Sequence, residues 1–139
     1  KSFSSLAHGY AGRLTLLNNY SAVTGACLAI QKQYFMKVGG FDEVNLRVAC
    51  NDVDLCLKFT ELGLRNLYTP FASLYHHESA TRGYEDTPEK KARFQKEVAH
   101  MWKRWPKLMA NDPAYNPNLT LDAEDFGLAW PPRVKHAWA

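Results

Sequence analysis

The sequence predicts an α/β domain, on three observations. Residues 21–30, SAVTGACLAI, form a compact apolar run of small and β-branched residues, which reads as a buried strand. Residues 88–105 carry Phe94, Val98, Met101 and Trp105 at spacings of four, three and four, the stripe of an amphipathic helix. Between these two, short extended and helical segments alternate.

The bulk properties narrow the class further. At 139 residues the chain has the length of one domain and can bury a sizeable core. With 46% hydrophobic residues and a net charge of +3, it is neither polar nor charged enough to be disordered. Its longest apolar stretch, residues 23–30, is far below the roughly 18 residues that span a bilayer. The mild charge gives no argument for nucleic acid as a partner. Cys27, Cys50 and Cys56 are odd in number and lack a C-x-x-C spacing, so they are expected to be buried thiols in a reducing compartment. No signal peptide is legible, and Lys1 stands where Met would start a chain. An excised piece of a longer protein is therefore expected.

Residues 1–20 are polar and mixed and read as a loop or arm. Gly25 inside the 21–30 run marks a strand that another backbone or a ligand approaches closely. A short helix is predicted over residues 31–38, stopped by the Gly39-Gly40 pair. The next helix is the clearest: Asn51 is placed to cap it, and Asp52 and Asp54 fall in its first turn, where carboxylates suit the helix dipole. Leu55, Phe59 and Leu62 make its apolar face, and Gly63 its stop. Extended segments follow at residues 65–69 and 72–76, separated by Pro70, which cannot donate to a ladder. Pro88 suits the first turn of the long helix. Residues 106–139, rich in Pro and Asn, have no period and read as an extended tail wrapping the surface.

Two groups of residues have possible chemistry. Asp52 opens a helix beside a Gly- and Asn-bearing loop, where a carboxylate can take a proton from a hydroxyl; capping is the structural alternative. Asp52-Val53-Asp54 also spells D-x-D, but residues two apart on a helix point about 200° apart, so the two carboxylates do not share a metal. In Tyr75-His76-His77-Glu78 the adjacent histidines face opposite sides of a strand. One His with carboxylate or phosphate oxygens suits Mn²⁺ or Mg²⁺ better than a closed zinc site; a hydrogen-bonded histidine at a strand end is the alternative. Arg82 is placed to clamp a phosphate, against the alternative of an exposed surface arginine. Trp102, Trp105, Trp130 and Trp138 read as core or tail anchors rather than a sugar platform. There is no G-x-S-x-G, P-loop or G-x-G-x-x-G. A cysteine nucleophile has no basic partner nearby to support it.

Four motifs then occur in a recognisable order: Val23-Thr24-Gly25-Ala26-Cys27, Val38-Gly39-Gly40-Phe41-Asp42-Glu43, Asn51-Asp52-Val53-Asp54-Leu55-Cys56-Leu57, and Leu74-Tyr75-His76-His77-Glu78-Ser79. They resemble the C-terminal half of family 2 glycosyltransferases, in particular the bacterial enzymes that build surface polysaccharides such as O-antigen. His8-Gly9-Tyr10-Ala11-Gly12-Arg13-Leu14 and Tyr115-Asn116-Pro117-Asn118-Leu119 look like the same subgroup.

The resemblance implies the C-terminal portion of a GT-A fold, a mixed sheet flanked by helices. It implies transfer of a sugar from a nucleotide-sugar donor to a hydroxyl of a glycan or lipid-linked glycan acceptor, with inversion. Asp52 matches the general base of the family's Glu-Asp motif, with Asn51 where Glu is common. His76 matches the histidine that helps bind the divalent cation, with His77 as the competing assignment. Thr24, Gly25 and Ala26 match the edge that lines the sugar cleft, and Asn51, Asp54, His77 and Arg82 are expected to face substrate. The family's nucleotide-binding half, which carries most of the Mn²⁺ or Mg²⁺ site, precedes these motifs. Residues 1–20 do not replace it, so this chain is expected to be the acceptor and base side of a larger enzyme, inactive alone and completed by the N-terminal half of the same protein. A cytoplasmic location is expected, at most peripheral to the inner membrane face. Two other classes remain open: a non-catalytic sugar-binding or scaffolding module, and a metal-dependent hydrolase using His76, His77 and Glu78.

Overall fold

The computed structural model describes residues 7–75, 87–123 and 125–134. Among these the chain is a mixed α/β arrangement, with helices α1 (Lys32–Lys37), α2 (Asn51–Glu61), α3 (Pro88–Arg104) and α4 (Pro106–Ala110). Its sheet, among the described residues, is an antiparallel ribbon of β1 (Asn18–Tyr20) and β2 (Asn66–Tyr68), in the register Asn18↔Tyr68, Asn19↔Leu67 and Tyr20↔Asn66. None of the described helices is long and apolar enough to cross a membrane.

Strand β1 lies inside the segment expected to be an arm, and the 21–30 run expected to be a buried strand is not one. The first correction has a tertiary cause. Asn-Asn-Tyr has little strand propensity, but Tyr20 meets Tyr68 edge to face at 6.1 Å. The Tyr68 hydroxyl donates to Leu14 O at 3.1 Å, and Asn66 Nδ2 donates to Ser21 O at 3.0 Å and Cys56 O at 3.1 Å. The second correction follows from who accepts the backbone N–H groups. Gly25 N–H donates to the Asp52 carboxylate and Ala26 N–H to the Thr24 hydroxyl, so side chains replace a ladder. The run turns at Gly25 and exposes residues 24–27. Cys27 is therefore exposed rather than buried, while Cys50 is partly and Cys56 fully enclosed.

Helix α1 and the β2 strand form where the sequence places them. Gly39 and Gly40 take φ of 75° and 65°, and Gly40 N–H returns to Phe35 O at 2.9 Å. A Cβ on Gly40 would stand 3.0 Å from the Phe35 ring, so glycine is required there twice over, by dihedral and by space. Residues 72–75, expected to be extended, are exposed and outside any strand.

Helix α2 starts differently from expectation. Asn51 is its first residue, and the cap position belongs to Cys50, whose φ of 61° and ψ of 6° are left-handed; the Cys50 carbonyl accepts the Asp54 N–H at 2.9 Å. Residues 54–59 are all buried, so this helix is enclosed nearly all round, whereas Leu62 at its end is exposed. In α3, Pro88 takes the first turn and the Thr87 hydroxyl accepts Lys90 N–H at 3.3 Å. Met101 and Trp105 are buried as the stripe predicts, but Phe94 is largely exposed and Glu97 is buried beside them. Leu46, Leu57, Met101 and Trp105 form the core cluster, with Cys50, Val53, Leu108 and Met109 against it.

The segment expected to be an extended tail begins with α4. Beyond it, Leu119 and Leu128 form an antiparallel bridge, and Arg133 Nη1 donates to Leu119 O at 2.9 Å. The tail docks on the residue 7–21 segment, with Arg13 Nη2 donating to Ala114 O at 3.1 Å and the Ser21 hydroxyl bonded to Asp112. Trp105 is the core anchor among the tryptophans, while Trp102 and Trp130 are exposed; Trp138 lies outside the described residues.

Candidate active site

Asp52 occupies the second position of α2, where the unpaired N–H groups of the first turn favour a carboxylate. Its Oδ2 accepts Gly25 N–H at 2.8 Å and its Oδ1 accepts Val53 N–H at 2.9 Å. Two backbone amides thus fix both oxygens, and each oxygen retains a second lone pair for a further donor. The approach is close: a Cβ on Gly25 would lie 3.2 Å from Asp52 Cβ and 3.5 Å from its Oδ2. Absence of a side chain at Gly25 is what admits the carboxylate. The loop stays open on its other side, with Thr24, Gly25 and Ala26 exposed and Asn51 and Asp52 partly so. A hydroxyl can therefore reach a positioned carboxylate without disturbing the core.

Asp54, expected to face substrate, does the opposite. Its carboxylate is 0% exposed and is spent on three partners: Lys58 Nζ at 2.8 Å, Arg104 Nε at 3.3 Å and the Trp105 indole N–H at 2.9 Å. Lys58 Nζ also donates to Gly40 O at 2.9 Å, and Arg104 Nη1 reaches Asp42 at 3.7 Å. These contacts tie the Gly39–Asp42 loop, α2 and α3 into one charge-paired unit. Burial of an ionised carboxylate is costly unless it is paired and hydrogen-bonded, and here it is both. The two acidic residues of the D-x-D pattern therefore have separate jobs, Asp52 towards the open loop and Asp54 into the core.

Two positioning residues escaped the sequence reading. Glu97, 3% exposed, accepts Val48 N–H at 3.1 Å and Ala49 N–H at 2.8 Å. It thereby holds the residues that lead into Cys50, whose left-handed backbone carries a cost on the order of 1–3 kcal/mol in a non-glycine residue. A signal existed: Glu97, Met101 and Trp105 lie at i, i+4 and i+8 on one helix face. Asp42 is the other. Its Oδ1 accepts Val44 and Asn45 N–H at 3.2 and 2.9 Å, and His100 Nε2 lies 3.3 Å from its Oδ2. The Asn45 amide leads the contacts that hold the Asp42 carboxyl below its ordinary pKa, with Val44 and the His100 charge assisting, against partial desolvation.

The thiols beside the site are unsuited to attack. Burial pushes the Cys50 thiol up, and the charges of Asp52 and Glu97 push it further. Burial likewise raises Cys56, opposed by its bond to Val23 O and reinforced by Asp52. Among the described residues no three His, Cys, Asp or Glu side chains converge in a set that could hold a metal. His76, His77, Glu78 and Arg82, the remaining residues of the sequence prediction, lie outside the described residues.

With this geometry in place, the chain's relatives are informative. It is 57% identical over 123 residues to an uncharacterized protein, y4gI, of Sinorhizobium fredii, a match covering 88% of this chain and 14% of that protein. It is 38% identical over 117 residues to the O-antigen biosynthesis protein RfbC of Myxococcus xanthus, covering 84% of this chain and 9% of that one. Over 61 residues, 44% of the chain, it is 34% identical to an N-acetylglucosaminyl-diphospho-decaprenol L-rhamnosyltransferase of Mycobacterium tuberculosis, of which the match spans 20%. The chain thus spans only a fifth or less of each of these curated relatives. No family model matches it, and no solved structure matches it.

Proposed function

We propose that this chain is the acceptor and general-base side of a sugar transferase acting in bacterial surface-polysaccharide synthesis. The observation that carries the reading is the Asp52 carboxylate, held on both oxygens by backbone amides at the open 24–26 turn. The similarity to a protein of O-antigen biosynthesis across 84% of the chain supports it.

In this reading the enzyme is an inverting family 2 transferase of the GT-A type. Asp52 takes the proton of the acceptor hydroxyl as that oxygen attacks the anomeric carbon of a nucleotide-sugar. The Gly25 and Val53 N–H groups aim the carboxylate, and the buried Asp54–Lys58–Arg104 unit keeps the first turn of α2 from shifting under it. The donor nucleotide and its Mn²⁺ or Mg²⁺ are assigned mainly to the N-terminal half of the same protein, at the cytoplasmic side and at most peripheral to the inner membrane.

The test is Asp52→Asn in the full-length protein, assayed for sugar transfer and, by calorimetry, for donor binding. Asparagine keeps the shape but cannot take a proton, so transfer should fall by about 10²–10⁴ while donor affinity changes little. Near wild-type turnover would remove Asp52 as the base.

A further inference from the structure

A cavity of about 590 Å³ opens between the residue 7–20 segment and the tail, and no residue of α2 lines it. Its walls are aromatic and oriented. Tyr10 and Phe126 stack with centroids 4.5 Å apart and planes 7° from parallel, and Tyr115 leans on Phe126 at 5.8 Å. Tyr10, covered on that face, is still 49% exposed. The backbone bends to hold these rings: Ala11 and Phe126 are non-glycine residues at φ of 51° and 57°, a conformation that gathers at binding sites because surrounding contacts must enforce it.

The polar groups at the rim select the ligand. Asp112 and Asp125 both line the cavity. Each is steadied through Oδ1, which accepts Ala114 N–H and Gly127 N–H respectively, both at 2.8 Å. A carboxylate has about four acceptor positions, so both retain capacity for donors from a ligand. Arg13, the cation of the cavity lining, is committed inward. Its guanidinium lies 5.0 Å over Tyr20 and 5.6 Å over Phe126, and it donates to the Tyr20 hydroxyl and Ala114 O.

We infer that this cavity binds a neutral sugar ring. A pyranose combines an apolar C–H face, which suits the Tyr10 ring, with a rim of hydroxyl donors, which suits two carboxylates. A phosphorylated or nucleotide ligand would bring negative charge against two carboxylates, Asp112 and Asp125, with Arg13 the one Lys or Arg among the described lining residues. A hydrocarbon chain would offer no donor to the acceptor positions that those carboxylates keep open. A second cavity of about 300 Å³ shares Tyr20 and Asp112 with the first and is otherwise walled by Ser21, Ala22 and the core-side Val53, Leu57, Leu108 and Met109. The sugar site goes beyond the transfer reading and stands without it, because it is read by binding rather than by turnover.

The experiment is a titration of the isotope-labelled 139-residue chain with methyl hexosides, methyl 6-deoxyhexosides and neutral disaccharides, followed by amide shifts and saturation transfer. Uridine monophosphate and glucose 1-phosphate serve as anionic probes. The expected result is millimolar binding of a neutral saccharide, with shifts at Tyr10, Tyr20, Asp112 and Phe126, weakened about fivefold by Tyr10→Ala and also weakened by Asp125→Asn in chains that keep their fold by circular dichroism. The inference is overturned if no neutral saccharide moves these amides, if the anionic probes bind the cavity more tightly, or if both folded variants bind unchanged. Loss of transfer in full-length Asp52→Asn bears on the base alone and leaves this result as it stands.

Discussion

Glu97→Ala is the sharpest test of how the site is supported. The substitution removes the acceptor of the Val48 and Ala49 N–H groups, at 3.1 and 2.8 Å, from a side chain that is 3% exposed. Hydrogen bonds that end on a charged group are worth about 1.5–3 kcal/mol each. Both N–H groups are only partly buried, so water recovers part of the loss, and relief from burying the carboxylate recovers more. The low end of the range applies, a net cost of about 3 kcal/mol for the pair. With 139 residues and an unfolding entropy of about 2.1 cal/mol/K per residue, that lowers the melting temperature by roughly 10 °C. Glu97→Gln retains one carbonyl acceptor and should lose about half as much. The assay is thermal unfolding at neutral pH, paired with amide hydrogen exchange at residues 47–51, where release of the Cys50 strain should speed exchange. A melting shift below about 3 °C with unchanged exchange at Val48 and Ala49 would refute the claim that Glu97 sets the start of α2.

Three other outcomes follow from the same geometry, besides the loss of transfer in Asp52→Asn. Gly25→Ala puts a Cβ 3.2 Å from Asp52 Cβ; the open turn can yield, so stability should change little while transfer by the full-length protein falls about tenfold, equivalent to 1.4 kcal/mol. Unchanged transfer would show that this close approach does not position the carboxylate. Asp42, whose carboxyl is held below its ordinary value chiefly by the Asn45 amide, contributes stability above pH of about 4 and loses it as the pH falls through that value and then through the native one. Urea unfolding between neutral and strongly acidic pH should accordingly show a shallower acid limb for Asp42→Asn, and an identical limb would contradict the assignment. Of the thiols, exposed Cys27 should be alkylated first, with Cys50 and Cys56 slower because burial raises both; mass mapping of a partial iodoacetamide reaction reads the order.

Local signals served well where local physics decides. The Gly39-Gly40 stop, the α2 span, the β2 strand before Pro70 and the Pro88 start of α3 all depend on dihedral freedom, missing donors or helical spacing, which neighbours in sequence determine. The 21–30 run misled because an apolar, β-branched segment satisfies a strand pattern whether or not a partner strand accepts its N–H groups. Here Asp52 and Thr24 accept them instead. Asn18–Tyr20 misled in the opposite direction, its pairing arising from Tyr68 and Asn66 some fifty residues away.

At the site the division is just as physical. Sequence alone singled out Asp52 and the glycine that must lie close to something, and the helical periodicity kept Asp52 and Asp54 from sharing a metal while leaving both expected at the substrate. Only the tertiary structure decided what each does, because that depends on which distant groups reach them: the Gly25 amide for Asp52, and Lys58, Arg104 and Trp105 for Asp54. Nothing in the local pattern around Asp54 announces that α3 will bring it a guanidinium and an indole. Nor does anything near Val48 announce that Glu97 will hold it. A carboxylate's chemistry is set by its partners and its access to water, and both are properties of the folded chain rather than of the residue.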